Sequence, residues 1–160
     1  MLEQHYLTSL FEPKSVAVIG ASERENSVGS IIFKNILDAG YKGRLYAINP
    51  KHETIHGVQA HASIEEIGAR VELAVICTRP QTVPAIVEQC GRSGIKNVIV
   101  ITAGFAEAGH SGAALERKML EIARSYNVRV LGPNCLGLIR PTLGLNATFA
   151  KVTANAGNLA

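Results

Sequence analysis

Two glycine-containing segments near the N-terminus could hold a phosphate group. Gly20-Ala21-Ser22 follows an apolar run, and Ser27-Val28-Gly29 opens a helical pattern. Glycine lets the backbone approach a ligand closely, and the free N–H groups of a helix N-terminus bind phosphate. The two glycines are nine positions apart, so the spacing differs from the dinucleotide fingerprint G-x-G-x-x-G. The pattern predicts a phosphate-binding turn of another kind, with a strand-to-helix turn that holds no ligand as the alternative.

A lysine follows the second apolar run, in the segment Asn49-Pro50-Lys51. NAD-dependent enzymes commonly carry an acidic residue here, which binds the ribose hydroxyls. A cation suits a phosphorylated ribose instead, which points to NADP or to the 3′-phosphate of coenzyme A (CoA). The alternative is an ordinary solvated lysine in a loop.

Small or polar residues also follow the other three apolar runs, in Thr78-Arg79-Pro80, Ala103-Gly104-Phe105 and Gly132-Pro133-Asn134-Cys135-Leu136-Gly137. In open α/β sheets the ligand lies beyond the carboxyl ends of the strands. The segments that follow the runs are therefore predicted to share one ligand-binding edge.

The apolar runs themselves are predicted to be buried parallel strands, over residues 15–19, 44–49, 73–77, 98–102 and 128–131. Helical periodicity lies between them, over residues 30–39, 80–93 and 112–126, with Gly40 and Gly94 as C-terminal stops. Strands that alternate with helices indicate βαβ units. The predicted fold is a Rossmann-like, doubly wound α/β domain with a parallel sheet.

Other reactive side chains lack the partners that their chemistry requires. His52, His56 and His61 lie in a loop-rich stretch without convergent carboxylates, so solvent-facing histidines are expected and no metal site is predicted. His110 resembles a phosphohistidine only superficially and is expected to be an exposed loop residue. Cys135 has no histidine near it in sequence to act as a base, although distant residues could fold back onto it.

Composition narrows the class of protein further. The 160 residues, 47% of them hydrophobic, suffice for one core without disulfides or metal. A net charge of +3 and the absence of tryptophan give no indication of a nucleic-acid surface. Three cysteines without C-x-x-C spacing indicate reduced thiols. With neither a signal-peptide pattern nor a membrane-length apolar run, a cytoplasmic location without membrane contact is expected.

Five segments in order resemble the CoA-binding domain of the NDP-forming acyl-CoA synthetases, the group that contains ADP-forming acetate–CoA ligase and the succinyl-CoA synthetase α chain. They are Val16 to Ser22, Ile48 to Lys51, Val75 to Thr78, Ile101 to Phe105 and Gly132 to Gly137. The resemblance covers nearly the whole chain. It implies that the cofactor is CoA or an acyl-CoA.

The resemblance also implies which residues hold CoA. The first loop and its helix would cradle the coenzyme, the Pro-Lys segment would lie near the adenosine phosphates, and the later strand ends would line the pantetheine path. The implied contacts are Gly20, Ser22, Ser27, Val28, Gly29, Asn49, Pro50, Lys51, Cys77, Thr78, Arg79, Ala103 and Gly104, with Asn134 and Cys135 near the thiol end. Ala103 stands where the succinyl-CoA synthetase α chain has an acidic residue, so a polar contact is not expected there.

Full-length members of that group pass a phosphoryl group through a histidine in the following domain. We therefore expect residues 1–14 to be a lead-in, residues 15–150 to be the CoA-binding domain and residues 151–160 to lead into a further domain. The ATP/ADP site is expected only in such further domains. The 160 residues alone, without a catalytic residue, are expected to be inactive, and the oligomeric state stays open.

Three other functions stay open from the sequence. The segment Leu145-Asn146-Ala147-Thr148-Phe149 also resembles bacterial protein lysine acetyltransferases, in which this region is fused to a GNAT domain and is regulatory. A NADP-binding Rossmann oxidoreductase or redox sensor is the alternative of another class, although G-x-G-x-x-G spacing is missing. A stand-alone CoA-binding protein is the third.

Overall fold

A seven-stranded sheet forms the centre of the protein, and a separate two-stranded hairpin packs beside it. The computed structural model describes residues 7–152 and 154–157. The sheet contains β1 (Ser15–Ile19), β2 (Arg44–Ile48), β3 (Thr54–Ile55), β4 (Val58–His61), β5 (Leu73–Ile76), β6 (Asn97–Val100) and β7 (Arg129–Leu131). The separate hairpin consists of β8 (Gly137–Arg140) and β9 (Leu145–Thr148).

The strand order in the sheet is β3-β4-β2-β1-β5-β6-β7. All neighbouring strands are parallel except β3, which pairs antiparallel with β4. The chain leaves β1 toward β2 on one side and later returns to pair β5 on the other side of β1. This reversal next to β1 is the topological switch point, where doubly wound folds open a crevice at the carboxyl edge.

In the described part of the chain, four α-helices accompany the sheet: α1 (Thr8–Phe11), α2 (Val28–Asp38), α3 (Val83–Arg92) and α4 (His110–Ser125). Short 3-10 turns occupy residues 65–67, 80–82, 106–108 and 141–143. Ser27 is the N-cap of α2, and its side chain accepts a hydrogen bond from the N–H of Ser30 at 3.3 Å. Gly40 and Gly94 follow α2 and α3 with φ values of +73° and +77°, as the predicted helix stops require.

Both faces of the sheet are covered, which explains why its strands read as continuous apolar runs. Along β1, Val16 and Val18 pack into one cluster with α2 and β9, whereas Ala17 and Ile19 pack into another with α3 and α4. All five residues of β1 are buried. The predicted Rossmann-like, doubly wound fold is therefore confirmed.

The predicted elements match the structure to within about two residues at most boundaries, the usual disagreement for such ends. The five predicted strands correspond to β1, β2, β5, β6 and β7, and the three predicted helices to α2, α3 and α4. The sequence analysis missed β3, β4, β8 and β9. The expectation of a loop around His110 was wrong, because this exposed residue is the first of α4.

Part of the expected lead-in and of the expected C-terminal linker lies outside the described residues, at 1–6, 153 and 158–160. Among the helices in the described part of the chain, none combines the length and the apolar character that crossing a bilayer requires.

Candidate functional site

A cleft of about 590 Å³ opens where β1, β2 and β5 end, next to the switch point. We call it the carboxyl-edge cleft. One of its walls comes from α3, so the cleft lies on the α3 face of the sheet. The predicted residues that line it are Gly20, Asn49, Pro50, Lys51, Cys77, Thr78 and Arg79.

Gly20 forms the floor of the carboxyl-edge cleft between β1 and β5. Its φ of +89° is a backbone conformation that L side chains rarely adopt. A Cβ at this position would also meet the carbonyl of Cys77 and the methyl carbon of Thr78, each at 3.1 Å. The close approach of β1 and β5 at the cleft floor therefore depends on glycine.

Asn49 joins the loop after β2 to the loop after β1. Its side-chain amide donates to the carbonyl of Ala21 at 2.8 Å, and its side-chain oxygen accepts from the N–H of Lys51 at 2.9 Å. The Asn49 N–H donates to the carbonyl of His61 at 2.9 Å. Asn49 thus fixes the backbone that carries Lys51 at the cleft wall.

Threonine hydroxyls fix the segment after β5 in a similar way. Thr102 donates to the carbonyl of Thr78 at 2.8 Å. The Thr82 hydroxyl lies 2.8 Å from the Thr78 hydroxyl and 2.7 Å from the carbonyl of Arg79. These bonds place the start of the Arg79 side chain at the cleft wall.

Both charged side chains in the cleft wall, those of Lys51 and Arg79, are cations, and the wall contains no aspartate or glutamate. Within residues 7–152 and 154–157, neither cation has an ion-pair partner. Ile19, Ile48, Ile64 and Ile86 supply apolar wall surface. A cleft with unpaired cations and apolar walls suits a ligand that has both phosphate groups and apolar parts.

Other predicted residues lie around the same edge of the sheet without lining the cleft: Ser22, Ser27, Val28, Gly29, Ala103, Gly104, Asn134 and Cys135. The Ser22 hydroxyl accepts from the N–H of Arg24 at 2.9 Å, and Ser27 caps α2. Val28 is exposed. The exposed Asn134 is held through its N–H, which donates to the carbonyl of Thr102 at 3.0 Å.

Gly29 packs against the turn after β1. It is buried in the first turn of α2, and the position that a Cβ would take is filled by the carbonyl oxygen of Gly20. Close packing of α2 against the turn after β1 therefore explains why residue 29 is glycine, and no ligand contact is needed to explain it.

The N–H of Gly104 is already bound by a side chain. The Glu107 carboxylate accepts from it at 2.7 Å. The hydrogen bond from Gly104, with further bonds from the N–H groups of Glu107 and Phe105, holds the pKa of the Glu107 carboxyl below its usual range. An anionic ligand would have to displace this carboxylate to reach the Gly104 N–H.

Cys77 and Cys135 are thiols that stay protonated near neutral pH. Burial raises the pKa of Cys77 to about 12, with a smaller contribution from Cys135. Burial also raises the pKa of Cys135, whose Sγ donates to the carbonyl of Val100 at 3.5 Å. Protonated, half-buried thiols fit packing better than nucleophilic chemistry.

The histidine-rich stretch forms no metal centre in the described part of the chain, where no three metal-ligating side chains converge. The His56 ring nevertheless has partners: Nε2 lies 3.1 Å from the Ser30 hydroxyl, and the ring stacks on Phe33. His61 packs edge-on against Tyr46. His56 is therefore exposed but contacts Ser30 and Phe33. This differs from the purely solvent-facing side chain expected from the sequence.

Sequence reasoning missed the cleft residues that come from the segment after β4, from the end of the 3-10 turn over residues 80–82 and from α3. They are Ala62, Ser63, Ile64, Thr82, Ile86 and Gln89, together with the strand residues Ile19 and Ile48. Thr82, Ile86 and Gln89 are spaced as one helical stripe, so the predicted helix over 80–93 carried the signal. No comparable signal existed for residues 62–64, because β4 was not predicted.

Comparisons with known proteins show the family to which the chain belongs. The family model described as CoA binding domain matches residues 14–141. The ADP-forming acetate–CoA ligase I of Archaeoglobus fulgidus is 46% identical over 151 residues, covering 94% of this chain and 22% of the relative. The α subunit of ADP-forming acetate–CoA ligase II of Pyrococcus furiosus is 41% identical over 155 residues, covering 96% of this chain and 33% of the relative.

A solved structure gives the same result. Acetyl-coenzyme A synthetase 1 of Candidatus Korarchaeum cryptofilum, in complex with phosphate and ADP, superimposes with a TM-score of 0.91 at 38% identity, over 95% of this chain and 32% of that one. The chain thus spans about a fifth to a third of the length of these relatives. They support neither the acetyltransferase nor the oxidoreductase alternative. The chain belongs to the CoA binding domain family and is homologous to the corresponding region of the ADP-forming acetate–CoA ligases.

Proposed function

We propose that the carboxyl-edge cleft holds CoA and that the chain is the CoA-binding part of an ADP-forming acyl-CoA ligase. The observation that carries the proposal is the pair of unpaired cations, Lys51 and Arg79, in a cleft wall without carboxylates. CoA carries a 3′-phosphate and a pyrophosphate at its nucleotide end and an uncharged pantetheine arm, with methyl and methylene groups between its amides, at the other end. Its chemistry therefore matches the cleft.

Lys51 is the residue that we assign to the 3′-phosphate. It follows β2, at the position where NAD-dependent enzymes commonly place a ribose-binding carboxylate. Arg79, with Thr78, is assigned to the pyrophosphate side. The remaining predicted contacts stay predictions: Ser22, Ser27, Val28 and Gly29 on the first turn, and Ala103, Gly104, Asn134 and Cys135 toward the thiol end.

In the proposed ligase, the CoA-binding domain comprises residues 15–150, and residues 151–160 lead toward further domains. The ATP/ADP site and the phosphorylated histidine belong to those domains. Holding one substrate without the phosphorylating groups leaves most of the reaction barrier in place, so the 160 residues alone are proposed to bind without turnover.

Calorimetric titration with CoA, dephospho-CoA, NAD and NADP tests the proposal. We expect binding of CoA, weaker binding of dephospho-CoA, and no stronger response to NADP. Binding of NADP without binding of CoA would contradict the proposal and revive the oxidoreductase alternative.

The variant Lys51→Ala tests the assignment of the 3′-phosphate. A charge-assisted hydrogen bond contributes about 1.5–3 kcal/mol, and the exposure of Lys51 favours the lower end because solvent and salt screen it. We therefore expect about a tenfold loss of CoA affinity and little change for dephospho-CoA. Lys42→Ala is the matched control, because this exposed lysine precedes β2 at the opposite edge of the sheet. Equal losses of affinity for CoA and dephospho-CoA would indicate that Lys51 contacts the pyrophosphate. No loss for either ligand would indicate that Lys51 is an ordinary solvated lysine.

A further inference from the structure

The turn between β3 and β4 is linked to the first βα unit through His56. His56 and Gly57 form the turn, with φ values of +48° and +77°. The strands on either side are short, since β3 has two residues and β4 has four. The pairing of β4 with β2 and the buried side chain of Ile55 hold the hairpin on the sheet. Because a hairpin this short has few hydrogen bonds of its own, the contacts at its tip add to its positional order.

His56 makes three contacts with the first βα unit. Its backbone N–H donates to the Glu23 carboxylate at 2.6 Å. Its ring Nε2 lies 3.1 Å from the Ser30 hydroxyl, and the ring stacks on Phe33 with centroids 6.4 Å apart and planes inclined by 16°. We call these four residues, His56, Glu23, Ser30 and Phe33, the His56 clamp.

The clamp is not arranged as a nucleophilic site. In a serine–histidine–carboxylate triad the carboxylate orients the imidazole through a ring nitrogen, whereas the Glu23 carboxylate binds the backbone N–H of His56. Ser30 is only 7% exposed and lies within α2. The contacts therefore hold elements together.

The two elements that the clamp joins both lead to the carboxyl-edge cleft. Glu23 lies in the β1–α2 loop, two residues after Ala21, whose carbonyl accepts the side-chain amide of Asn49. His56 lies beyond the β2–β3 loop, which carries Asn49 and Lys51. The β1–α2 loop is thus linked to the β2–β3 loop at Asn49, beside the strand ends, and to the β3–β4 turn at His56, at the far end of the hairpin.

We infer that His56 is a positioning residue for Lys51, an inference that rests on the proposed CoA site. The clamp restrains the hairpin that follows Lys51, and through it the backbone from which the Lys51 side chain extends toward the proposed place of the 3′-phosphate. Without the clamp, the segment between Lys51 and His56 would be held less firmly, and its ordering on binding would reduce affinity. The loss of affinity should therefore occur for CoA, which carries the 3′-phosphate assigned to Lys51, and should be small for dephospho-CoA, which lacks it.

Glu23→Ala and Glu23→Gln form the primary test. Both variants remove the same negative charge, but glutamine keeps an oxygen that accepts from the His56 N–H. We expect Glu23→Ala to weaken CoA binding about fivefold relative to Glu23→Gln, with dephospho-CoA changed less than twofold. His56→Asn is the second variant, because asparagine tolerates positive φ but lacks the ring that contacts Ser30 and Phe33. It should show the same selective loss.

A double-mutant cycle with Lys51→Ala separates positioning from general destabilisation. If the clamp acts through Lys51, Glu23→Ala and Glu23→Gln should bind CoA with equal affinity in the Lys51→Ala background. The inference would be overturned by additive losses in the cycle, by equal losses for CoA and dephospho-CoA, or by wild-type CoA affinity in both Glu23→Ala and His56→Asn. Each of these results would leave the proposed CoA site intact. Absence of CoA binding by the wild-type chain would overturn the proposed function and this inference with it.

Discussion

The substitution Gly29→Ala tests whether this glycine serves packing or ligand binding. Gly29 is buried in the first turn of α2, and its missing side chain leaves room for the Gly20 carbonyl. An added Cβ would collide with that carbonyl oxygen and would also lie 2.9 Å from the Gly20 carbonyl carbon. Because both atoms belong to backbone, no rotamer change relieves the collision, and α2 must shift away from β1.

Two opposing effects set the size of the expected change. Overpacking in a well-packed core costs about 1–3 kcal/mol, and a backbone obstacle places this case near the upper value. Replacing glycine by alanine inside a helix returns roughly 0.5–1 kcal/mol through lower backbone entropy in the unfolded chain. The collision is the larger effect, so we expect a net loss of about 2 kcal/mol in the free energy of unfolding, a sizeable part of a typical 5–15 kcal/mol.

Urea denaturation followed by circular dichroism measures this loss. Val28→Ala is the matched control, because its side chain is 40% exposed on the adjacent position of the same helix, and a change within about 0.5 kcal/mol is expected there. If Gly29→Ala kept the stability of the wild type but lost affinity for CoA, the packing argument would be refuted. That result would assign Gly29 to close approach of a ligand phosphate.

Two further predictions concern the loop after β2 and the buried acidic groups. Asn49→Ala should lower the free energy of unfolding by about 1–3 kcal/mol, because the Ala21 carbonyl loses the side-chain amide that donates to it at 2.8 Å. Pro50→Ala is the neighbouring control. Equal stability of the two variants would contradict the role of Asn49. Stability should also fall as pH rises from about 9 toward 12, because burial raises the pKa values of Tyr41, Cys77 and Cys90 to about 12. The unfolded chain then loses protons at lower pH than the folded chain, so ionisation favours unfolding. Urea midpoints that stay constant between pH 8 and pH 11 would refute this, and the ultraviolet absorbance of thiolate and tyrosinate at each pH reports the ionisation.

The parallel sheet was predictable because its signals are local. A strand that is covered on both faces reads as an apolar run, as Ser15–Ile19 does with every residue buried. The alternation of such runs with helices then determines the architecture, and parallel strands bring their carboxyl ends to one edge. This geometry is why Gly20, Asn49 and Thr78, which are distant in sequence, could be placed at one site before the structure was known.

The hairpins were not predictable, because long-range contacts stabilise them. Thr54–Ile55 and Val58–His61 are too short to show a period of two, and His56 takes a positive φ, which is uncommon for residues other than glycine. Leu145–Thr148 is completely buried although it contains Asn146 and Thr148. Their side chains satisfy each other, since the Thr148 hydroxyl lies 2.7 Å from the Asn146 side-chain oxygen. Such pairing is invisible in a pattern of apolar residues.

Gly20 shows why the missing dinucleotide fingerprint did not exclude a nucleotide-like ligand. In G-x-G-x-x-G, the first glycine permits a tight turn and the third permits close packing of helix on strand. Here Gly20 makes the turn with a φ of +89°, and Gly29 allows α2 to pack against the Gly20 carbonyl. The nine-position spacing leaves a longer β1–α2 loop between two glycines with the same physical roles, and that loop supplies Glu23 to His56. The longer spacing therefore keeps the packing of a dinucleotide turn while adding a side-chain link from the β1–α2 loop to the hairpin that follows Lys51.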